Sequence, residues 1–317
     1  MSAPRYKAVF VSPHLDDAVF SCGGEIARLA AQGPVLVLNL FTRYLGEVKL
    51  RAVVLGEERY REEAAAAEFL GFESHNFGEL DVSFRRPAYR SLGNIFRPPV
   101  REDMEDYLPA LRERVFAWLA GVDYERLYVP LGIGWHVDHV LAHLLFEPWI
   151  GRDGLIHYED APYCLIPHAA RHRLNELGAY PRQPNDSTLA PVPEGRAWRE
   201  TVTAYADTAL MKNLRPAVVR WSALPVVGIY LYRLIALHRR LAATASPSRH
   251  LDAQVSVLDE VFARKTQAMA LYASQFREFF ADAADCERLY TAYAAGIGFA
   301  GGPVERYWTI RPSTHPE

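Results

Sequence analysis

Two short segments of this 317-residue sequence concentrate imidazole and carboxylate side chains: His14-Leu15-Asp16-Asp17 near its start and His136-Val137-Asp138-His139 far downstream. Imidazole and carboxylate are ligands that a borderline ion such as zinc accepts. A catalytic zinc needs three protein ligands and one open position for water. Together the segments can supply His, Asp and His and still leave a carboxylate to take a proton from that water. The adjacent Asp16 and Asp17 repel one another unless a cation lies beside them, and a metal would supply it.

Such residues work only if secondary structure brings them together. Ala8-Val9-Phe10-Val11-Ser12 and residues 35–41 are continuous apolar runs of the kind buried parallel strands show. Between them Glu25 to Gln32 is helical in pattern and stops at Gly33-Pro34. The spacing predicts further helices over 56–70 and 101–120, and strands near 74–77, 126–130 and 155–159. Both motifs then follow strands directly, at the carboxyl ends where open α/β sheets bind ligands. Alternating strands and helices imply an α/β fold, a Rossmann-like doubly wound and mainly parallel sheet. Past residue 165 the alternation stops. A Pro- and Asn/Asp-rich loop over 181–193 gives way to helical patterns at 197–211, 216–243 and 252–280. We expect a Rossmann-like catalytic core over 1–165 and a C-terminal, mainly helical elaboration over 166–317 packed on it, within one continuous domain or beside it.

Half of the residues are hydrophobic, which suffices for a large core. A net charge of −3 provides no global footprint for nucleic acid. Cys22, Cys164 and Cys286 are scattered and odd in number, so no disulfide framework follows. The first residues lack the apolar core of a secretory signal, and a cytoplasmic location is the default expectation. The most apolar stretch, Trp221 to Tyr232, runs into Arg233 and His238-Arg239-Arg240 and is shorter than the ~20 residues a transmembrane span needs. It reads as a core helix, or as an interfacial helix making peripheral membrane contact. The first strand–helix loop has no Gly-x-Gly-x-x-Gly, which argues against dinucleotide chemistry.

At these residues the chain resembles the LmbE-like, or PIG-L, family of zinc-dependent de-N-acetylases, and its longer bacterial branch in particular. The family's first motif, His-Pro-Asp-Asp-Glu after a strand, stands here as His14-Leu15-Asp16-Asp17-Ala18. Its second, His-Pro-Asp-His, stands as His136-Val137-Asp138-His139. Arg59-Tyr60-Arg61-Glu62 ahead of Leu70-Gly71, and the pair Gly23-Gly24, match as well. Leu15, Val137 and Ala18 replace residues that supply no metal ligand, and Gly134 stands where some members carry a tyrosine. The resemblance spans about residues 5–160.

It implies that His14, Asp17 and His139 hold the metal, zinc or another divalent ion such as Fe2+, and that Asp16 is the general base. His136 would steady the oxyanion or protonate the departing amine. Asp138 would orient an imidazole, and Arg59 would bind substrate hydroxyls or a phosphate. Blander roles compete: a helix cap for Asp16, a surface histidine for His136, and a helix pair with Glu62 or Glu63 for Arg59. His143, at i+4 from His139, reads as a core or rim residue. Arg85, Arg86 and Arg90 line an anionic-substrate cleft or decorate a loop. The implied reaction is hydrolysis of an N-acetylglucosamine-type sugar or conjugate by metal-activated water, with a small amino-sugar conjugate, glycolipid or glycan as partner. The rival is a non-catalytic sugar- or nucleotide-binding α/β protein.

Overall fold

The computed structural model describes residues 5–46, 48–50, 53–90, 94–181, 193–207 and 249–312, with five isolated positions between 228 and 236. The basic segment at His238-Arg239-Arg240 and most of the apolar stretch before it lie outside the described residues. Among the described residues no helix is long and apolar enough to cross a membrane.

β1 (Ala8–Ser12) shows how one strand builds two cores. Ala8 and Phe10 point to one face of the sheet, Val9 and Val11 to the other, and all five residues are buried. It pairs in parallel with β2 (Val35–Asn39) through α1 (Asp17–Ala30), as the apolar runs predict. A short hairpin, β3 (Val48–Leu50) with β4 (Val53–Leu55), precedes α2 (Glu57–Leu70), which ends at left-handed Gly71. Next come β5 (Glu73–Asn76), the short α3 (Val82–Arg85), α4 (Leu108–Leu119) and β6 (Leu127–Pro130). α5 (Val137–Leu145) and β7 (Leu155–Tyr158) complete the parallel part.

The sheet has eight strands in the order β5-β2-β1-β6-β7-β10-β9-β8. The strand order reverses between β1 and β6, and this topological switch point is where such sheets bind ligands. α4 and α5 pack on one face; α1, α2 and the late helices pack on the other.

The later half brings helices and also strands. α6 (Ala169–Glu176), β8 (Ala179–Pro181) and α7 (Glu194–Asp207) are followed by β9 (Arg249–Val257), α8 (Phe262–Leu271), α9 (Ala273–Phe279), α10 (Ala283–Gly296) and β10 (Val304–Pro312). The helical pattern expected over 252–280 therefore begins ten residues late. Residues 249–257 are a strand because they pair antiparallel with β10 at nine successive positions, and that ladder outweighs the local pattern. β10 in turn pairs antiparallel with β7. Gly24 shows how closely α1 sits on this half: a Cβ there would lie 2.3 Å from Cδ2 of Leu258. Lys265 and Glu305 form a fully buried ion pair at 2.7 Å, and Glu305 also accepts from the backbone N–H groups of Gly24 and Glu25.

Candidate active site

The loop after β1 is organised by Ser12. Its hydroxyl donates to the His14 carbonyl at 2.5 Å and accepts from the Ala18 N–H at 2.9 Å, which turns the chain sharply into α1. His14, Asp16 and Asp17 leave this turn side by side and buried. From the neighbouring strand end, α5 begins at His136, so His139 lies one turn into the helix and faces the same space. The ring centroids of His14, His136 and His139 are 4.9 to 5.4 Å apart.

One carboxylate oxygen joins the two motifs. Asp17 Oδ2 lies 2.9 Å from His14 Nδ1 and 3.2 Å from His139 Nε2. Burial pushes the Asp17 carboxyl up, but the two imidazoles beside it hold it well below the usual carboxylate range. Burial works against charge on His139 as well, yet Asp17 and Asp160 raise it to about 9. The cluster thus gathers positive charge around a buried carboxylate, the charge a divalent ion would supply in place of protons. Asp17 thus bridges His14 and His139, donors of types a divalent ion accepts, while two sets, His14 with His136 and His139 and His14 with Asp81 and Asp138, offer ligand atoms within 4.8 Å of one another.

A second layer of carboxylates aims these rings. Asp160 accepts from His139 Nδ1 at 2.7 Å and is itself fixed by the Gly132 and Ile133 N–H groups at 2.8 and 2.9 Å. Asp138 lies 3.1 Å from His14 Nε2, accepts from the Val82 N–H and pairs with Arg85 at 2.6 Å. Asp81 stands 3.6 Å from the same His14 nitrogen. Carboxylates behind ligating imidazoles fix tautomer and orientation. Asp138 thus stands in contact with the His14 ring that it could orient. Asp81 and Arg85 both come from the connection after β5, and Asp160 from the loop after β7.

Asp16 is turned away from this cluster. It makes no side-chain cap for α1; its carboxylate meets the buried guanidinium of Arg59 on α2. Burial raises its pKa despite the arginine, so its proton affinity exceeds that of Asp17. Arg59 therefore contacts the carboxylate beside the His14–Asp17–His139 cluster, while Glu62 bonds Ser274 instead of forming a pair with Arg59. His136 is buried and edge-on to His14. Burial, then the neighbouring positive His14, keeps it neutral well below its ordinary pKa. Its Nδ1 accepts from the Asp138 N–H at 3.3 Å, which leaves Nε2 as the protonated nitrogen, a donor. His143 is a core residue with Nδ1 at 3.1 Å from the Pro130 carbonyl. Arg85 and Arg86 are spent on Asp138 and Asp103 rather than presented to a cleft.

Comparison with known proteins places this geometry. The family model described as GlcNAc-PI de-N-acetylase matches residues 9–150, which include both motifs. A 2'-N-acetylparomamine deacetylase from Streptomyces fradiae is 28% identical over 168 residues, covering 50% of this chain and 58% of that protein. The matched region thus spans little more than half the length of that relative. Two crystal structures of a deacetylase from the teicoplanin pathway share the fold. One is a complex with TM-score 0.61 and 18% identity; the other is a zinc-inhibited form with TM-score 0.57 and 17% identity. Each comparison covers 98% of this chain and 99% of the other. Residues 9–150, which hold the paired His-Asp motifs at the switch point of the sheet, match the model of the PIG-L family of de-N-acetylases.

Proposed function

We propose that this protein is a zinc-dependent N-acetylglucosaminyl deacetylase. It hydrolyses the acetamide of an N-acetylglucosamine-type sugar or conjugate and releases acetate and the free amine. The observation that carries this reading is the division of labour between neighbouring carboxylates: Asp17 faces His14 and His139, whereas Asp16 faces Arg59. His14, Asp17 and His139 are the residues that would hold the ion. A bound divalent ion polarises the acetyl carbonyl and acidifies a water.

The chain's own groups do the rest. Asp16 accepts the proton of the attacking water and passes it to the nitrogen as the C–N bond breaks. Arg59 keeps that carboxylate in place and ionised between turnovers, a role alongside or instead of contact with substrate hydroxyls. His136, neutral and with Nε2 as its donor nitrogen, donates to the oxygen on which negative charge develops. Asp138 and Asp160 hold the two imidazoles against rotation. Residues 1–165 carry these groups, and we assign 166–317 as an elaboration packed on that core.

The named relative acts on an acetylated aminoglycoside, and the solved neighbours belong to a glycopeptide pathway. These chemistries support a sugar conjugate as the substrate class, whether a small glycoside, a glycolipid or a glycan. The test is acetate release from a panel of N-acetylglucosaminides by protein stripped of metal and reloaded with zinc or Fe2+. We expect one divalent ion per chain and metal-dependent acetate release. Protein that binds no stoichiometric ion, or releases no acetate from any member of the panel, overturns the reading.

A further inference from the structure

The imidazole cluster carries an aromatic rim that the hydrolytic chemistry leaves unused. Phe96, from the loop after α3, meets His136 edge-on at 5.6 Å between centroids. Tyr163, from the loop after β7, meets His139 in the same manner at 5.4 Å. The two rings meet each other at 6.2 Å, and Phe279 of α9 backs Tyr163 at 6.4 Å. All three are half-buried. Three large rings drawn from three separate segments, each partly open to solvent, thus border the polar centre.

The backbone makes room for this rim. Gly134 has φ +86, and a Cβ there would lie 2.4 Å from Cγ of Tyr163. The tyrosine ring thus fills the volume that any side chain at position 134 would need. Trp135, next in the chain, has φ 62, a conformation unfavourable for a bulky residue, and Phe96 packs against it. The segment entering α5 pays in backbone conformation for the placement of these rings.

We infer that Phe96 and Tyr163 are specificity-determining residues whose ring surfaces take the apolar C–H face of the pyranose that bears the acetamide. This rests on the deacetylase reading. The amide nitrogen is bonded directly to a ring carbon, about 1.5 Å away. A carbonyl held among His14, His136 and His139 therefore brings the sugar ring against whatever borders those imidazoles, and Phe96 and Tyr163 border two of the three. A glucosamine-type ring with equatorial hydroxyls exposes axial C–H groups on its faces. These suit the negative face of an aromatic ring, and the hydroxyl edge is left to polar partners. An apolar aglycone or a lipid chain lies farther from the amide than the ring itself.

The experiment is steady-state acetate release by zinc-loaded, full-length protein from methyl N-acetyl-glucosaminide, its octyl counterpart and an acyclic N-acetyl amino alcohol. The variants are Phe96→Leu and Tyr163→Leu, with Phe96→Tyr and Tyr163→Phe as ring-retaining controls. For the methyl glycoside, KM rises by about tenfold or more in each leucine variant while kcat stays within a few-fold, the scale of one lost aromatic contact. The ring-retaining variants and the acyclic amide keep wild-type KM. An unchanged KM for the methyl glycoside in both leucine variants overturns the inference, as does a rise confined to the octyl glycoside, which would make the rim an aglycone site. Wild-type protein inactive on every amide overturns the deacetylase reading itself. Should the leucine variants fold poorly, saturation-transfer NMR of methyl glucosaminide on wild-type protein decides. Saturation concentrated on the axial protons of one face supports the rim, and even saturation overturns it.

Discussion

A carboxylate that must give and take a proton cannot also be a firm metal ligand, and the two aspartates of the first motif are separated by their partners. Asp17 is held low by two imidazoles, whereas Asp16 is raised by burial and checked by Arg59. Asp16→Asn should therefore keep the metal by elemental analysis while acetate release falls ~10²–10⁴-fold, the usual cost of a lost general base. Turnover near wild type with the metal bound would reduce Asp16 to a partner of Arg59. Asp160 acts one layer out. Asp160→Ala should weaken metal affinity by about 10–100-fold in a chelator competition, since it frees the His139 ring from its 2.7 Å anchor. At this scale the sequence was informative where the clustered side chains lie within four residues of one another, as in both motifs. Asp81, Arg85 and the role of Asp160 were not legible: their contacts with His14, Asp138 and His139 join separate strand ends, and no local spacing encodes which loops converge.

α2 shows why an element can be read correctly and still be misjudged. The helix over 57–70 follows from its sequence, and Arg59 on it reads as a substrate contact or as one half of a pair with Glu62 or Glu63. In the fold Arg59, Glu62 and Glu63 are all buried, because the junction of α8 and α9 lies over them. Glu63 accepts from Ser74, Asn39 and Tyr272, yet burial dominates and lifts its pKa to about 6. An unfolded glutamate titrates near 4.3. The native state thus binds more protons than the unfolded chain between these values, and stability must fall as pH rises through the window. The expected loss is about 2 kcal/mol between pH 4 and pH 7 from this group. Glu63→Gln should flatten that part of the stability–pH curve in urea titrations; an unaltered slope would assign it elsewhere. β9 was illegible for the converse reason. Its register partner β10 lies some fifty residues downstream, and pairing across that gap decides its conformation.

At the scale of the molecule, the two halves share one sheet, and a buried charge pair of the second half lies against α1 of the first. Lys265 and Glu305 are inaccessible to solvent, and the ammonium also stacks on the Tyr290 ring at 4.5 Å. Removing one partner leaves an uncompensated charge, so Lys265→Met should cost about 3–5 kcal/mol in chemical denaturation, and Lys265→Met with Glu305→Gln distinctly less. Equal losses would show that packing, not charge, is the dominant factor. The α/β class and the switch-point location were readable because β1, β2 and β6 are short apolar runs ahead of the motifs. The continuation of the sheet beyond β7 was hidden, since neither β9 nor β10 stands in an alternating βαβ pattern.

The position of β10 has a consequence for how the protein reaches its native state. β7, whose loop delivers Asp160 to His139, is paired on its far side by a strand roughly 150 residues downstream. At a synthesis rate of ~5–20 residues per second, the edge of β7 waits on the order of 10–30 s for its neighbour. During that interval the nascent chain offers an open strand edge to other nascent chains. Assembly of the sheet around the His139–Asp160 contact is thereby tied to the synthesis of β10, and slow, late closure of a non-local pairing is the step at which crowding or a chaperone would most affect yield.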